Sequence, residues 1–75
     1  MDFLEATDAL LQALSQREIA EALGVSLASV RQARMNANAK GWRSPPKDWC
    51  AVLIRLAAER ADYYLRLVEQ LKKDR

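Results

Sequence analysis

The strongest structural signal in this chain is the sequence SQREIAEALGVSLASVRQARM, residues 15–35. It opens with a capping box, in which Ser15 accepts a hydrogen bond from the Glu18 backbone and the Glu18 carboxylate reaches back to Ser15. The box predicts a helix over residues 16–23. Gly24 follows at once, at the position where many helices end on a left-handed residue.

A second short helix is predicted over residues 27–36, with Ser26 as its N-cap. At about 100° per residue, Val30 and Ala33 lie on one face of this helix and Leu27 lies at the edge of that face. The pattern therefore predicts two short amphipathic helices joined by a tight turn.

The flanking sequence predicts two further helices. The first covers residues 2–14, and acids in its first turns suit the positive end of the helix dipole. The other covers residues 45–73, with Ser44 as its cap and Pro45 in its first turn. No alternating β-branched run indicates a strand. The expected fold is all-α, with one domain over residues 1–75 made of three short helices in a compact bundle and one long C-terminal helix.

Composition argues against several classes of chemistry. The chain has no His and a single Cys, Cys50. Such a chain has no imidazole base, no internal disulfide and no thiolate cluster, so we expect no enzyme, metal, cofactor or small-molecule ligand. No apolar run approaches the roughly 18 residues of a membrane span, and the N-terminus is acidic where a secretory signal is basic. A cytoplasmic protein without membrane contact is expected.

The middle of the chain is a cationic region. Residues 1–24 carry a net charge of −4, residues 25–47 carry +5 without a single acid, and residues 48–75 carry +1. Part of this region, residues 36–47, is predicted to be a loop. A run of like charge is most often a solvated surface, and the alternative is a surface that faces phosphates. Charge alone leaves both interpretations open.

Residues 16–35 resemble the helix-turn-helix DNA-binding motif. Ala20 is small where the two helices pass close to each other, and Gly24 tolerates the backbone conformation that the tight turn requires. Over residues 1–36 the chain is similar to small phage-repressor-like regulators of the lambda-repressor-like superfamily, with Trp-repressor-like regulators as a second kinship. The resemblance implies that the second helix of the motif enters the major groove of double-stranded DNA. It departs from that family in its single long last helix, where two short helices are usual.

Geometry and resemblance together assign roles to individual residues. Contacts with base edges are expected from Leu27, Ala28, Ser29, Arg31 and Gln32. Contacts with the DNA backbone are expected from Gln16, Arg17, Met35, Asn36, Lys40 and Arg43. Arg34 lies nearer the core face of its helix, and its role is left open. Trp42 is expected to anchor the loop, with base stacking as the alternative.

The long helix carries apolar residues at heptad spacing. They are Cys50, Ile54, Ala57, Ala61, Tyr64, Val68 and Leu71. A small globule covers only part of such a helix, so a homodimer is predicted, with either parallel or antiparallel packing. The predicted interface comprises Leu56, Arg60, Tyr63, Tyr64, Leu67, Val68 and Leu71. The alternative is that this half folds back on its own domain.

These observations predict a sequence-specific, double-stranded DNA-binding transcriptional regulator. A chain this small most simply acts as a homodimeric repressor that occupies a pseudo-palindromic operator. The alternative is a protein-interaction module, antiactivator-like or antitoxin-like, that binds a protein partner through the same surface. The apolar residues Leu27, Ala28 and Met35 of the second motif helix are the ground for this alternative.

Overall fold

The computed structural model describes residues 1–74 and contains four helices within them. They are α1 (Phe3–Leu10), α2 (Gln16–Leu23), α3 (Leu27–Ala33) and α4 (Trp49–Lys73). The described residues form no strand. The predicted all-α class, with three short helices followed by one long helix, is confirmed.

Local hydrogen bonds define the α2–turn–α3 unit as the sequence predicts. Ser15 Oγ accepts from the Glu18 N–H at 3.1 Å, and Glu18 Oε1 accepts from the Ser15 N–H at 3.2 Å. Gly24 ends α2 in the left-handed region at φ 71°. No atom lies within 4 Å of a Cβ built there, so conformation rather than space favours glycine. Ser26 Oγ then caps α3 by accepting from the Ser29 N–H at 3.0 Å.

The C-terminal ends of α1 and α3 differ from the prediction. α1 stops at Leu10 instead of Leu14, because the following turn tightens and the Ala13 N–H bonds the Leu10 carbonyl at 2.9 Å. α3 stops at Ala33 instead of Asn36. Its Gln32 carbonyl, which would serve Asn36 in a longer helix, accepts from Met35 and from Arg43 of the returning loop.

The start of α4 was also predicted wrongly. The helix begins at Trp49 rather than Pro45, and Ser44 does not cap it. Asp48 occupies the N-cap position without a side-chain hydrogen bond. Pro46 accounts for part of this shift, because a proline disfavours helical backbone angles at the residue before it and so excludes Pro45 from the helix.

The core lies where α2 and α3 meet the first half of α4. Ile19 and Val30 are 0% and 1% exposed, and burial of each such side chain stabilises the fold by about 1.5–3 kcal/mol. The other buried apolar residues are Phe3, Leu14, Ala20, Ala33 and Leu53. The rings of Phe3 and Trp49 pack edge to face with centroids 5.4 Å apart, which fixes the start of α1 against the start of α4.

α4 is longer than the bundle that supports it. The molecule measures 54 × 22 × 19 Å, and the 25 residues of α4 span about 38 Å. Leu53 is buried and Leu56 is half-buried, whereas residues 61–74 are all exposed. The C-terminal half of α4 thus extends away from the bundle and does not fold back on it. Across residues 1–74, no helix combines the length and apolarity needed to cross a membrane.

Candidate nucleic-acid interface

α3 buries one face and leaves the other to solvent. Val30 and Ala33 are 1% and 6% exposed and lie in the core. Ala28 and Arg31, one helical turn apart, are exposed on the opposite side, and Leu27 is half-buried at its start. The packing of α2 against α3 thus holds α3 on the surface with Arg31 outward.

Two of the residues predicted to contact bases lie to the side of this face. Ser29 and Gln32 are half-buried and line a groove of about 340 Å³ between α3 and residues 43–46. The Ser29 hydroxyl also lies 2.9 Å from the Ser26 hydroxyl. Within the predicted set, Ala28 and Arg31 therefore form the centre of the exposed surface and the others form its margins.

The loop after α3 is held against that helix by hydrogen bonds and by packing. The Arg43 N–H donates to the Gln32 carbonyl at 3.4 Å. Gly41 leaves room for Met35, because a Cβ at Gly41 would lie 3.0 Å from Met35 Cε. Lys40 is exposed on the same ordered loop. The two loop cations are therefore carried on a segment fixed to α3.

The remaining predicted backbone contacts differ in accessibility. Arg17 is exposed in the first turn of α2, and Asn36 is exposed after α3. Asn36 Oδ1 accepts from the Asn38 N–H at 2.9 Å. Gln16 is half-buried, and its Oε1 is buried without a hydrogen-bond partner in the described part of the chain. Gln16 is thus less accessible to a phosphate than Arg17.

Arg34 belongs to the scaffold. Its Nη1 donates to Thr7 Oγ1 and its Nη2 donates to Asp8 Oδ1 at 2.7 Å, with the Arg34 side chain 17% exposed. Thr7 is fully buried and donates its own hydroxyl to the Phe3 carbonyl at 2.8 Å. These bonds join α3 to α1. The sequence left the role of Arg34 open and did not predict that Thr7 is buried, because a polar residue is not expected on the buried face of α1.

Glu18 links α2 to α4. Its Oε2 accepts from Arg60 Nη2, while its Oε1 serves the cap at Ser15. The hydrogen bond from Arg60, and then that from the Ser15 N–H, hold the pKa of Glu18 below the usual range of a glutamate. The same bond with Glu18 raises the pKa of the Arg60 guanidinium.

The predicted dimer surface divides into two parts. Leu56 packs against the core and Arg60 pairs with Glu18, so both make contacts inside their own chain. The others are exposed, namely Tyr63, Tyr64, Leu67, Val68 and Leu71. The rings of Tyr63 and Tyr64 pack edge to face at 5.5 Å, which presents a broad aromatic surface on the protruding part of α4.

The cationic region has one neutralised member. Arg34 pairs with Asp8, whereas Arg31, Lys40, Arg43 and Lys47 are exposed and form no ion pair within residues 1–74. The same residues contain no group of three carboxylates or thiols placed to hold a metal ion. Comparisons of the chain with protein-family models, with curated proteins and with solved structures find no match.

Proposed function

We propose that this chain is a sequence-specific, double-stranded DNA-binding transcriptional regulator that acts as a homodimeric repressor at a pseudo-palindromic operator. The observation that carries the proposal is the exposed face of α3, with Arg31 outward and unpaired cations on the adjoining loop. Arg31 is exposed, while the opposite side of the same helix is buried. The major groove is about 12 Å wide and admits one helix with its side chains.

Arg31 and Ala28 suit the reading of base edges. A guanidinium can donate two parallel hydrogen bonds to guanine O6 and N7, and a methyl side chain can contact the methyl group of thymine. Because Ala28 lies one turn before Arg31, the two side chains would reach neighbouring base pairs. Leu27 and Gln32 flank them at the margins.

The cations around α3 would hold the protein on the duplex. Lys40 and Arg43 on the ordered loop, with Arg17 on α2, are exposed. Contacts with phosphates add affinity without sequence preference and fix the orientation of the recognition helix. These three cations form no ion pair within the described residues. Their unpaired charge supports a role in binding phosphates over that of a merely solvated surface.

Dimerisation would match two α3 surfaces to the two halves of a pseudo-palindromic operator. Two recognition helices about 34 Å apart meet successive major grooves on one side of the duplex, and the symmetry of the site follows that of the dimer. The exposed apolar and aromatic side chains of the protruding part of α4 support such pairing.

The second candidate is the protein-interaction module. Ala28 is exposed beside Arg31 on α3, and Met35 is 40% exposed just after the end of that helix, so apolar atoms lie on and next to the cationic surface. A protein partner with an acidic, apolar surface would match this combination. The two candidates predict different outcomes for binding to duplex DNA.

The deciding experiment is selection of duplexes from a random pool with the full chain, followed by polarisation titrations of the selected sequence at several salt concentrations. We expect a pseudo-palindromic consensus. Arg31→Ala should weaken binding by about 1–3 kcal/mol, or roughly 5-fold to 150-fold. The matched control is Arg55→Ala on α4, an exposed arginine outside the proposed surface. A pool without any enriched sequence would refute the proposal, and saturable binding to an acidic protein instead would support the second candidate.

A further inference from the structure

An apolar groove runs along the bundle between α1 and α4. Its two parts have volumes of about 260 and 230 Å³. Five alanines line it, Ala6, Ala9, Ala13, Ala57 and Ala61, together with larger side chains such as Leu10, Leu53 and Ile54. α1 runs in the same direction as α4, because Phe3 packs on Trp49 at one end while Leu14 lines the groove with Ala61 at the other.

The face of α4 that borders this groove continues into the protruding half. At about 100° per residue, Leu65 and Val68 fall on the same side of the helix as Ile54. These three side chains are 66%, 44% and 65% exposed. One apolar face therefore follows the whole helix. In the first half of α4 this face lines the groove, and in the second half it is exposed to solvent.

The spacing along this face is symmetric about Ala61. Ile54 and Val68 each lie seven residues from Ala61, and Ala57 and Leu65 each lie four residues from it. Two antiparallel helices related by a two-fold axis place residues at equal distances from the axis opposite each other. An axis at Ala61 would set Val68 against the partner's Ile54 and Leu65 against the partner's Ala57. The larger side chain then meets the smaller one in the second pair.

Charge favours the antiparallel direction. Asp2 caps α1 and Glu5 lies in its first turn, at the end of the molecule where α4 also begins and where Met1 and Trp49 line the groove. The last turn of α4 carries Lys72 and Lys73. Antiparallel docking brings those lysines to the partner's acids, and it brings the negative end of one helix dipole to the positive ends of two others. Parallel docking leaves the groove uncovered and sets like charges side by side.

We infer that a second copy of this chain fills the groove, so that the C-terminal half of α4 in each copy docks between α1 and α4 of the other, antiparallel about Ala61. The inference rests on the homodimer of the proposed function and defines its geometry. The groove contains no α3 residue, so the DNA-facing surface remains free.

Cys50 provides a direct test, because it is the only cysteine and it is exposed. In the antiparallel dimer the two Cys50 thiols lie about 33 Å apart along the helices, whereas position 72 lies opposite the partner's Cys50. Lys72→Cys should therefore form an intermolecular disulfide with the partner's Cys50 under mild oxidation, whereas the unsubstituted dimer should form none. The matched control is Lys73→Cys, which points about 100° away and should not cross-link. Peptide mapping identifies the linked positions.

A second variant keeps the test independent of cysteine chemistry. Ile54 is 65% exposed in the single chain, so Ile54→Asp should leave the bundle folded and yield monomers in sedimentation experiments. A disulfide between two Cys50 residues, a dimer that persists in Ile54→Asp, or an unsubstituted chain that sediments as a monomer would each overturn the inference. None of these measurements involves DNA. Selection of an operator by the unsubstituted chain would still support the regulator, so the two failures are distinguishable.

Discussion

Replacement of Arg34 by methionine should destabilise the fold by about 1–2 kcal/mol and leave the salt dependence of DNA binding unchanged. Methionine keeps the length and the apolar packing of the side chain while it removes the charged donors. The Thr7 hydroxyl keeps its bond to the Phe3 carbonyl, so no buried donor is left without a partner.

The magnitude follows from the two contacts of Arg34. A hydrogen bond between a charged donor and a buried acceptor contributes about 1.5–3 kcal/mol, and Thr7 is fully buried. The contact with Asp8 contributes less, within about 0–1 kcal/mol, because the Asp8 side chain is 60% exposed. The conformational entropy that the side chain regains when these contacts are lost offsets part of the summed contact energy.

The assay is equilibrium unfolding in urea, monitored by circular dichroism at one protein concentration. In a domain of this size, each kcal/mol corresponds to about 4–8 °C in Tm, so a thermal scan gives an independent check. A double-mutant cycle with Thr7→Val isolates the contact between the two side chains.

The matched control is Arg31→Met, on the same helix but in solvent. It should leave the free energy of unfolding within about 0.5 kcal/mol and weaken binding to the operator. Two results would contradict this structural role of Arg34. One is an unfolding free energy equal to that of the unsubstituted chain. The other is a salt slope reduced by about one unit, which would place Arg34 on a phosphate.

Further predictions concern the loop, the protruding helix, the acid dependence and the turn. Lys40→Ala should weaken binding to all duplexes and reduce the slope of log K against log salt by about 0.9, and an unaltered slope would exclude a phosphate contact. Val68→Asp, at a position shared by the predicted interface and the inferred antiparallel face, should convert dimers to monomers in sedimentation experiments, and a persistent dimer would contradict the interface on α4. The lowered pKa of Glu18 stabilises the fold above its unfolded pKa of about 4.5, and this contribution is lost as the pH falls through the lower folded pKa. Glu18→Gln should therefore unfold with a shallower pH dependence below about pH 4.5, and an identical acid profile would show that the bond to Arg60 contributes nothing. Gly24→Ala should cost about 1–2 kcal/mol in unfolding free energy from backbone strain, and a smaller loss would show that the turn relaxes.

Short-range patterns predicted the α2–turn–α3 unit well. A capping box needs residues three apart, and a left-handed helix end needs one glycine, so both signals lie within a few positions of Ser15 and Gly24. The inward faces of these helices followed from helical periodicity, and the buried Ile19 and Val30 confirm them.

The features that the sequence did not predict depend on contacts between residues that are far apart in the chain. The end of α3 depends on Arg43, whose N–H occupies a carbonyl of that helix from outside it. The role of Arg34 depends on Thr7, which lies 27 positions earlier in the chain. Arg60, predicted in the dimer interface, pairs with Glu18 because α2 and α4 meet there. Spacing along one helix carries no information about such pairs.

The joint between Glu18 and Arg60 has a geometric consequence for any two-fold assembly. The part of α4 beyond this joint is long, because 13 residues of helix, or roughly 20 Å, extend past Arg60. A tilt of about 10° at the joint would displace the tip by about 3.5 Å, which is close to the roughly 3.4 Å rise between stacked base pairs. In the proposed dimer, the Glu18 carboxylate would therefore influence how far apart the two copies hold their α3 helices, and so how many base pairs separate the half-sites that they fit.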